Sequence, residues 1–384
     1  MKSFLKILTL ILLSSGCSSN NVNSSDLIIL PKSQQEAYLS RSKSTHLFGF
    51  SVFGQPNGAV GVKGQTRLHP NHKASVKMQK NNLPIIPISG KNNAGKSFAL
   101  LDFSSPSSWI DFKQSQEYDV HFLAYRERNI PYVGNFNTGK IDAYMGVVSQ
   151  LRIDQLFLEN TPIYVKMSIG SLEPQSRGIA NPNITTVIGY DILKVFNSIQ
   201  LDFDSNVIRF TSSEKYQPNE SLLIGKTKII EEKNRGLVVE GNFFGKLSPV
   251  VLDLAGDYYL TVPQSNENIT RQLSFGDLVF RKIPTQRFDS MPRAGKKLFE
   301  DLIVTVCPNV TGVQLSGVES LMTTLYCPGA KLLDKCKLTE IEVKAKDSLI
   351  RVSRQTSNVA ALPTAPQQIN VTKENIEKEQ EQAG

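Results

Sequence analysis

The sequence is short of the features that most quickly assign a chain to a class. It has no apolar run near the twenty residues that a membrane-spanning helix needs; the longest, Leu5 to Leu13, is about nine residues. Its four cysteines and four histidines are scattered, with no C-x-x-C pair and no His beside a Cys. That removes the usual zinc and redox spacings, and no metal or cofactor is expected. The 43 Lys and Arg residues form no dense block. A net charge of +8 spread this way suits anionic lipid or polymer as well as nucleic acid, and no nucleic-acid partner is expected. Ser104 and Ser105 lack a G-x-S-x-G context, which argues against a serine-hydrolase elbow. Long segments of 3.6-residue apolar period are scarce as well.

What is present begins at the N-terminus. Lys2 and Lys6 bracket a short basic region, and Leu5 to Leu13 has the length of a signal-peptide core. It leads into Leu13-Ser14-Ser15-Gly16-Cys17, which resembles a bacterial lipobox, with Cys17 as the acylated residue. The expected organisation is a signal peptide over 1–16 and a polar tether over 17–44, rich in Ser and Asn near its start. A tail over 355–384, with almost no large apolar residue after Leu362, closes the chain. Removing Lys2 and Lys6 with the signal leaves +6, since residues 1–16 hold no acid. Ser18 rather than Asp after the cysteine points to an outer membrane, facing the periplasm. Cys307, Cys327 and Cys336 then stand in an oxidising compartment, where any one pair could bridge.

Between the ends lies an internal repeat of three ordered blocks. Phe98-Ala-Leu-Leu-Asp102-Phe-Ser-Ser105 matches Pro249-Val-Val-Leu-Asp253-Leu-Ala-Gly256, and each Asp lies twelve residues after a glycine, Gly90 or Gly241. Leu151 to Pro162 matches Leu273 to Pro284, with apolar residues at the same places. Gly189-Tyr-Asp-Ile-Leu193, followed by Leu201-Asp-Phe203 and Ile208-Arg-Phe210, is matched with Gly329-Ala-Lys-Leu-Leu333, Ile341-Glu-Val343 and Ile350-Arg-Val352. Val, Ile, Phe and Leu alternate with polar residues in short runs between turn clusters, the pattern of strands. Short helices are expected at Asp191–Phe196, Lys331–Cys336 and Arg293–Leu302. The fold class expected is all-β, in two related halves over 45–222 and 223–354.

An apolar strand ending in a turn with Asp, then a strand pair, then Val187-Ile-Gly-Tyr-Asp-Ile-Leu193 with Leu201-Asp-Phe-Asp204, resembles the retropepsin-like and pepsin-like aspartic proteases. The resemblance covers about 85–354. It implies two β-barrel lobes across a cleft, each lending one Asp, here Asp102 and Asp253, to a water-activating pair that cleaves a peptide or protein substrate. It also implies a flap from the first half over about 119–146, for which Tyr125, Tyr132 and Tyr144 are candidates. The family's Asp-Thr/Ser-Gly triplet is altered to Asp102-Phe103-Ser104 and Asp253-Leu254-Ala255. Ser105 stands where a supporting hydroxyl often follows the triplet, whereas Gly256 offers none. The alternative reading is therefore a non-catalytic relative whose cleft binds a peptide or envelope partner.

Two further signals carry less. Gly90-Lys-Asn-Asn-Ala-Gly-Lys96-Ser97 fits the phosphate-loop pattern, but a strand rather than a helix follows it, so a hairpin is expected and no nucleotide. His69 and His72 are expected in a solvated loop, and Trp109 in the core or lining a subsite.

Overall fold

The computed structural model describes residues 28–54, 60–64, 66–69, 72–79, 83–132, 143–169, 184–212, 216–219, 222–232, 235–243, 245–263, 271–287, 291–308, 312–317, 340–343 and 350–353. Strands dominate these residues and the helices are few and short. The architecture is all-β.

The first half runs through β1 (Lys73–Lys77), β2 (Ile85–Ile88), β3 (Ser97–Asp102), β4 (Trp109–Ile110), β5 (Ala143–Ile153), β6 (Leu156–Lys166), β7 (Ile184–Gly189), β8 (Ser198–Asp202) and β9 (Val207–Thr211). The second half runs through β10 (Leu223–Ile230), β11 (Val238–Phe243), β12 (Lys246–Asp253), β13 (Leu260–Val262), β14 (Arg271–Phe275), β15 (Leu278–Ile283), β16 (Thr285–Arg287), β17 (Arg293–Gly295), β18 (Leu302–Cys307) and β19 (Gly312–Gly317).

The pairing repeats from one half to the other. In the first, β3 pairs antiparallel with β2 and parallel with β7, and β4 joins β7 antiparallel and β6 parallel. In the second, β12 pairs antiparallel with β11 and parallel with β17, and β13 joins β17 antiparallel and β16 parallel. The second repeat block gives the hairpins β5–β6 and β14–β15, as expected. Their turns place Asp154 and Gly276 at φ 53° and 59°, so both copies keep the left-handed residue at the same step. Glycine is needed at 276 on a second count, because a Cβ there would lie 2.4 Å from the Lys226 carbonyl oxygen.

The halves are joined by six strands in the order β10-β19-β18-β8-β9-β1. Its central pair is β8 with β18, antiparallel from Ile199↔Val306 to Asp202↔Ile303, with a hairpin on each side. Alternation explains the layer: Ile199, Leu201, Ile208, Phe210, Val304, Val306, Val313 and Leu315 are buried, while Lys73, Ser75, Lys77 and Arg209 on the other face are exposed. The buried face feeds one apolar core that takes side chains from both halves.

Several expectations are corrected. The counterpart of Gly189-Tyr-Asp-Ile-Leu193 is Gly295-Lys-Lys-Leu-Phe299, because Gly295 pairs with Asp253 as Gly189 pairs with Asp102. Residues 329–336, including the helix expected at Lys331–Cys336, lie outside the described residues. The strands Glu340–Val343 and Ile350–Ser353 do form a hairpin, but it adds to β15 and not to the central sheet. Arg293–Leu302 is a strand, a 3₁₀ turn over Lys296–Leu298 and the start of β18, since its glycine opens the turn that Asp253 faces. The helix at 191 is shorter than expected and spans Tyr190–Leu193. The Gly90 and Gly241 match slips by two positions: Ile88 pairs with Ser97, and Gly241 with Ser248, five residues before each Asp.

The expected tether over 17–44 is also shortened. Residues 28–44 are folded: Ile28–Ile29 pairs with Ser168–Ile169, and the helix Lys32–Leu39 follows. Leu30 is buried, Gln35 Nε2 donates to the Leu30 carbonyl, and Tyr38 packs edge-on against Phe112. Lys43 and Ser44 add to the sheet beside Leu123 and Ala124, so much of the docking is by backbone and polar groups that leave no apolar period in the sequence. Cys17 and the rest of 1–27 lie outside the described residues.

Candidate functional site

Asp102 and Asp253 each end a strand that is buried on both sides, because Leu100, Leu101, Val251 and Leu252 are apolar without alternation. The chain then turns. The Ser105 N–H donates to the Asp102 carbonyl at 3.1 Å, and the Gly256 N–H to the Asp253 carbonyl at 3.0 Å. The Ser105 carbonyl in turn accepts from Tyr190 N–H at 2.8 Å, and the Gly256 carbonyl from Lys296 N–H at 2.8 Å. Glycine closes both arrangements: a Cβ at Gly189 would lie 2.4 Å from the Ser107 carbonyl oxygen, and one at Gly295 2.2 Å from that of Tyr258. Ser107 and Tyr258 each stand five residues after their Asp, so the two turns are copies at the level of single bonds.

The carboxylates are both buried, at 4% and 2% exposure. Asp102 Oδ1 accepts from Ser104 N–H at 3.0 Å, Ser104 Oγ–H at 2.9 Å and Ser105 N–H at 3.0 Å. Ser105 was expected to support Asp102 by its hydroxyl; it does so by its amide, and its hydroxyl donates to the Ser107 carbonyl. The hydroxyl on the acid comes from Ser104, where the family pattern has glycine. In the second half the Tyr258 hydroxyl donates to Asp253 Oδ2 at 2.7 Å. Gly256 makes room for that ring, since a Cβ at 256 would meet Tyr258 Cε1 at 2.4 Å. Sequence reasoning missed both hydroxyls: the triplet marks Ser104 only as a replacement for glycine, and Tyr258 lies beyond the triplet.

The two turns are linked through Gly236 and Leu237. Gly236 lies against the Asp102 turn, where a Cβ would come within 2.2 Å of the Phe103 carbonyl oxygen. The Leu237 N–H donates to that carbonyl, and the Leu237 carbonyl accepts from Leu252 N–H, next to Asp253. Two hydrogen bonds thus connect the residue after one acid to the residue before the other. In return, Ala255 packs among Ile85, Leu100, Trp109 and Val187 of the first half. Phe103 and Leu254, which stand where the family has a hydroxyl, are fully buried in the shared core.

Beside the Asp102 turn, Trp109, Tyr132 and Tyr164 form an aromatic trio with centroids 4.4, 5.1 and 4.9 Å apart. Tyr132 is the flap candidate that reaches this site. Tyr125 packs instead with Phe50, Leu123 and Met145, under Arg126, and Tyr144 packs against the main core. Residues 133–142 of the expected flap lie outside the described residues. Burial pushes the Tyr164 hydroxyl up to about 12, with Tyr132 and Asp191 adding to the shift. Asp191 accepts from Ser108 Oγ–H at 2.6 Å, Ser108 N–H at 3.1 Å and Ile192 N–H at 2.9 Å. Its burial outweighs those donors and Lys194, and its carboxyl is pushed up to about 6. The Ser108 hydroxyl also accepts from Gly189 N–H at 2.8 Å, so this clamp grips the residue paired with Asp102.

The remaining candidates lie elsewhere. Gly90 to Ser97 is the hairpin turn between β2 and β3, with a 3₁₀ turn at Lys91–Asn93. His69 has an acidic neighbour that its local sequence does not reveal, with Nε2 3.3 Å from Glu159 Oε1. Cys307 is a buried free thiol, pushed up to about 11 by burial, while Cys327 and Cys336 lie outside the described residues. Among the described residues no three His, Cys, Asp or Glu side chains group to hold a metal. No protein-family model matches the chain, and no curated protein matches it.

Proposed function

We propose that this chain is a bilobal acid-protease-fold endopeptidase of a bacterial envelope, held to the outer membrane by a lipid on Cys17, with Asp102 and Asp253 as its catalytic pair. The observation that carries the reading is the duplicated turn: two buried aspartates, each at the end of a strand paired in parallel with a glycine, in loops bridged by Leu237. Two such acids sharing a proton divide their roles. The ionised one takes a proton from a bound water, and the neutral one donates to the peptide carbonyl as the water attacks. Negative charge on the carbonyl oxygen is met without a covalent intermediate. The Ser104 and Tyr258 hydroxyls replace the supports that Phe103 and Leu254 cannot supply. Tyr132, against Trp109, stands at the root of the flap that would cover an extended peptide.

The test is turnover of a peptide library between about pH 3 and pH 7, with and without pepstatin. Asp102→Asn and Asp253→Asn should each lower the rate at least about a hundredfold, the scale of a lost acid or base. A rate that survives both substitutions sinks the proposal.

The second reading, a non-catalytic binder of peptides or envelope components, is favoured by one contact. Tyr258 donates a hydrogen bond to Asp253 Oδ2, so that carboxylate oxygen is already engaged. Tyr258→Phe separates the two. If the tyrosine supports catalysis the rate falls about tenfold or more; if it blocks the site, activity appears or rises.

A further inference from the structure

The large apolar side chains that remain in contact with solvent are unevenly distributed. Among the described residues five are well exposed, and four of them fall between residues 28 and 53: Ile28, Ile29, Leu47 and Phe53. Leu47 is 72% exposed and Phe53 50%. Single exposed hydrophobics need no explanation, whereas a concentration in one short stretch does. Leu47 lies in the 3₁₀ turn Thr45–Phe48, which packs on the strand Ser51–Gly54 that carries Phe53; that strand pairs with Val60–Lys63. Beneath them Phe50, Leu123 and Met145 are buried and fix the hairpin on the body of the protein.

The same stretch is cationic. Residues 28–63 hold Lys32, Arg41, Lys43 and Lys63 against Glu36 alone. Lys63 faces Ser51 across the hairpin, and Lys43, two residues before the turn that carries Leu47, lies with Nζ 3.1 Å from His121 Nε2. Exposed Leu47 in the turn and Phe53 in the strand after it, in a stretch with an excess of lysine and arginine, suit the outer layer of an anionic bilayer, which takes apolar side chains below its headgroups and draws cations to its surface.

We propose that this face, centred on Leu47 and Phe53, rests on an anionic lipid surface. The proposal builds on the reading of Cys17 as the lipid site. The ten residues from 18 to 27 reach at most about 35 Å when extended, so an anchored Cys17 keeps Ile28 within that distance of the bilayer. The hairpin then sets which side of the body faces the membrane, where a lipid on a tether alone leaves the orientation free.

The experiment uses the chain from Ser18 onward, which carries no lipid, so its outcome is independent of whether Cys17 is acylated. Sedimentation with phosphatidylglycerol-containing vesicles is compared with vesicles of phosphatidylcholine alone. Binding should be confined to the anionic vesicles and weaken on adding salt. Leu47→Asp and Phe53→Asp should each lower the partition coefficient about tenfold, the scale of losing one buried apolar side chain. Both sites are exposed, so the thermal midpoint should stay that of the parent, and this is measured alongside. No binding to anionic vesicles, equal binding to both kinds, or binding that the two substitutions leave intact would overturn the proposal. The same result with a soluble envelope protein in place of vesicles as the saturable ligand would also overturn it.

Discussion

In the first half, the acid-bearing turn is held by groups of its own: the Ser104 hydroxyl and the Ser105 amide on Asp102, and the Ser108 hydroxyl on Asp191. In the second half the same backbone turn has Ala255, Gly256 and Tyr259 at those places, and support comes from further away, through the Tyr258 ring and through Lys296. Lys296, with its side chain almost wholly buried, lies 3.1 Å from Glu300 and 3.7 Å from Asp257, so the second turn is fastened by ion pairs where the first uses hydroxyls. The backbone geometry survives the exchange because it is set by the glycines at 189 and 295 and by the strand pairing. What a half must keep is room for the carbonyl behind each turn. The side chains that hold the acid can change position.

That comparison can be broken in graded ways. The largest effect is expected in the core beneath the turns: Phe103→Ala should cost about 4 kcal/mol and Leu254→Ala about 3 kcal/mol, as for other fully buried side chains. Denaturant unfolding measures both, and a loss under about 1 kcal/mol at either site would show that the turns do not share one core. Next come the glycines. Gly189→Ala and Gly295→Ala each force a Cβ against a carbonyl oxygen, and each should cost about 3 kcal/mol. If only one of the pair is damaging, the halves are not equivalent at this point.

The third prediction concerns pH. Asp191 has its folded-state pKa raised to about 6 from 3.8. The unfolded chain therefore gives up this proton more readily, and ionisation weighs against the fold. The favourable contribution of the neutral acid is complete below about pH 3.8 and is lost as pH rises through about 6. Asp191→Asn keeps an acceptor for Ser108 without the charge. It should flatten the pH dependence of stability between about pH 4 and pH 7 by about 2–3 kcal/mol, seen as a smaller shift of Tm. Lys297 occupies the matching position in the second half, so Lys297→Gln should leave that window unchanged.

The smallest effect tests a missing bond. Leu101 N–H donates to the Pro84 carbonyl as Leu252 N–H donates to that of Leu237, which makes Pro84 the counterpart of Leu237. Leu237 also donates its N–H to the Phe103 carbonyl, and Pro84 has no N–H to offer the Leu254 carbonyl in return. Pro84→Ala restores the donor and loosens the unfolded chain, two effects of about 0.5–1 kcal/mol and opposite sign. Stability should stay within about 1 kcal/mol of the parent; a clear gain would show that the one-sided brace limits the pairing of the turns.

Much of the fold was legible because strand alternation and repeat order are local properties. The hairpins β5–β6 and β14–β15 and the two strands ending in Asp follow from apolar spacing alone. The third repeat block was misplaced because Gly329-Ala-Lys-Leu-Leu333 looks more like Gly189-Tyr-Asp-Ile-Leu193 than Gly295-Lys-Lys-Leu-Phe299 does. Residue similarity could not report that Gly295 is the glycine lying beside Asp253. At the site, Asp102 and Asp253 could be picked out by their place at the end of matching strands, while their hydrogen-bond donors could not. Tyr258 reaches back five residues along its own turn, and nothing in a motif marks that return.

By itself, then, the sequence determined the class of structure, its duplication and the two acids, since each depends on neighbours a few residues apart. Tertiary structure alone decided that the two turns meet through Leu237, that Ser104 and Tyr258 hold the carboxylates, and that the segment after residue 28 joins the body. Those outcomes depend on contacts between residues separated by a hundred positions or more, or on the direction in which a single side chain turns. Packing and the need to satisfy buried polar groups fix them only when the chain is folded.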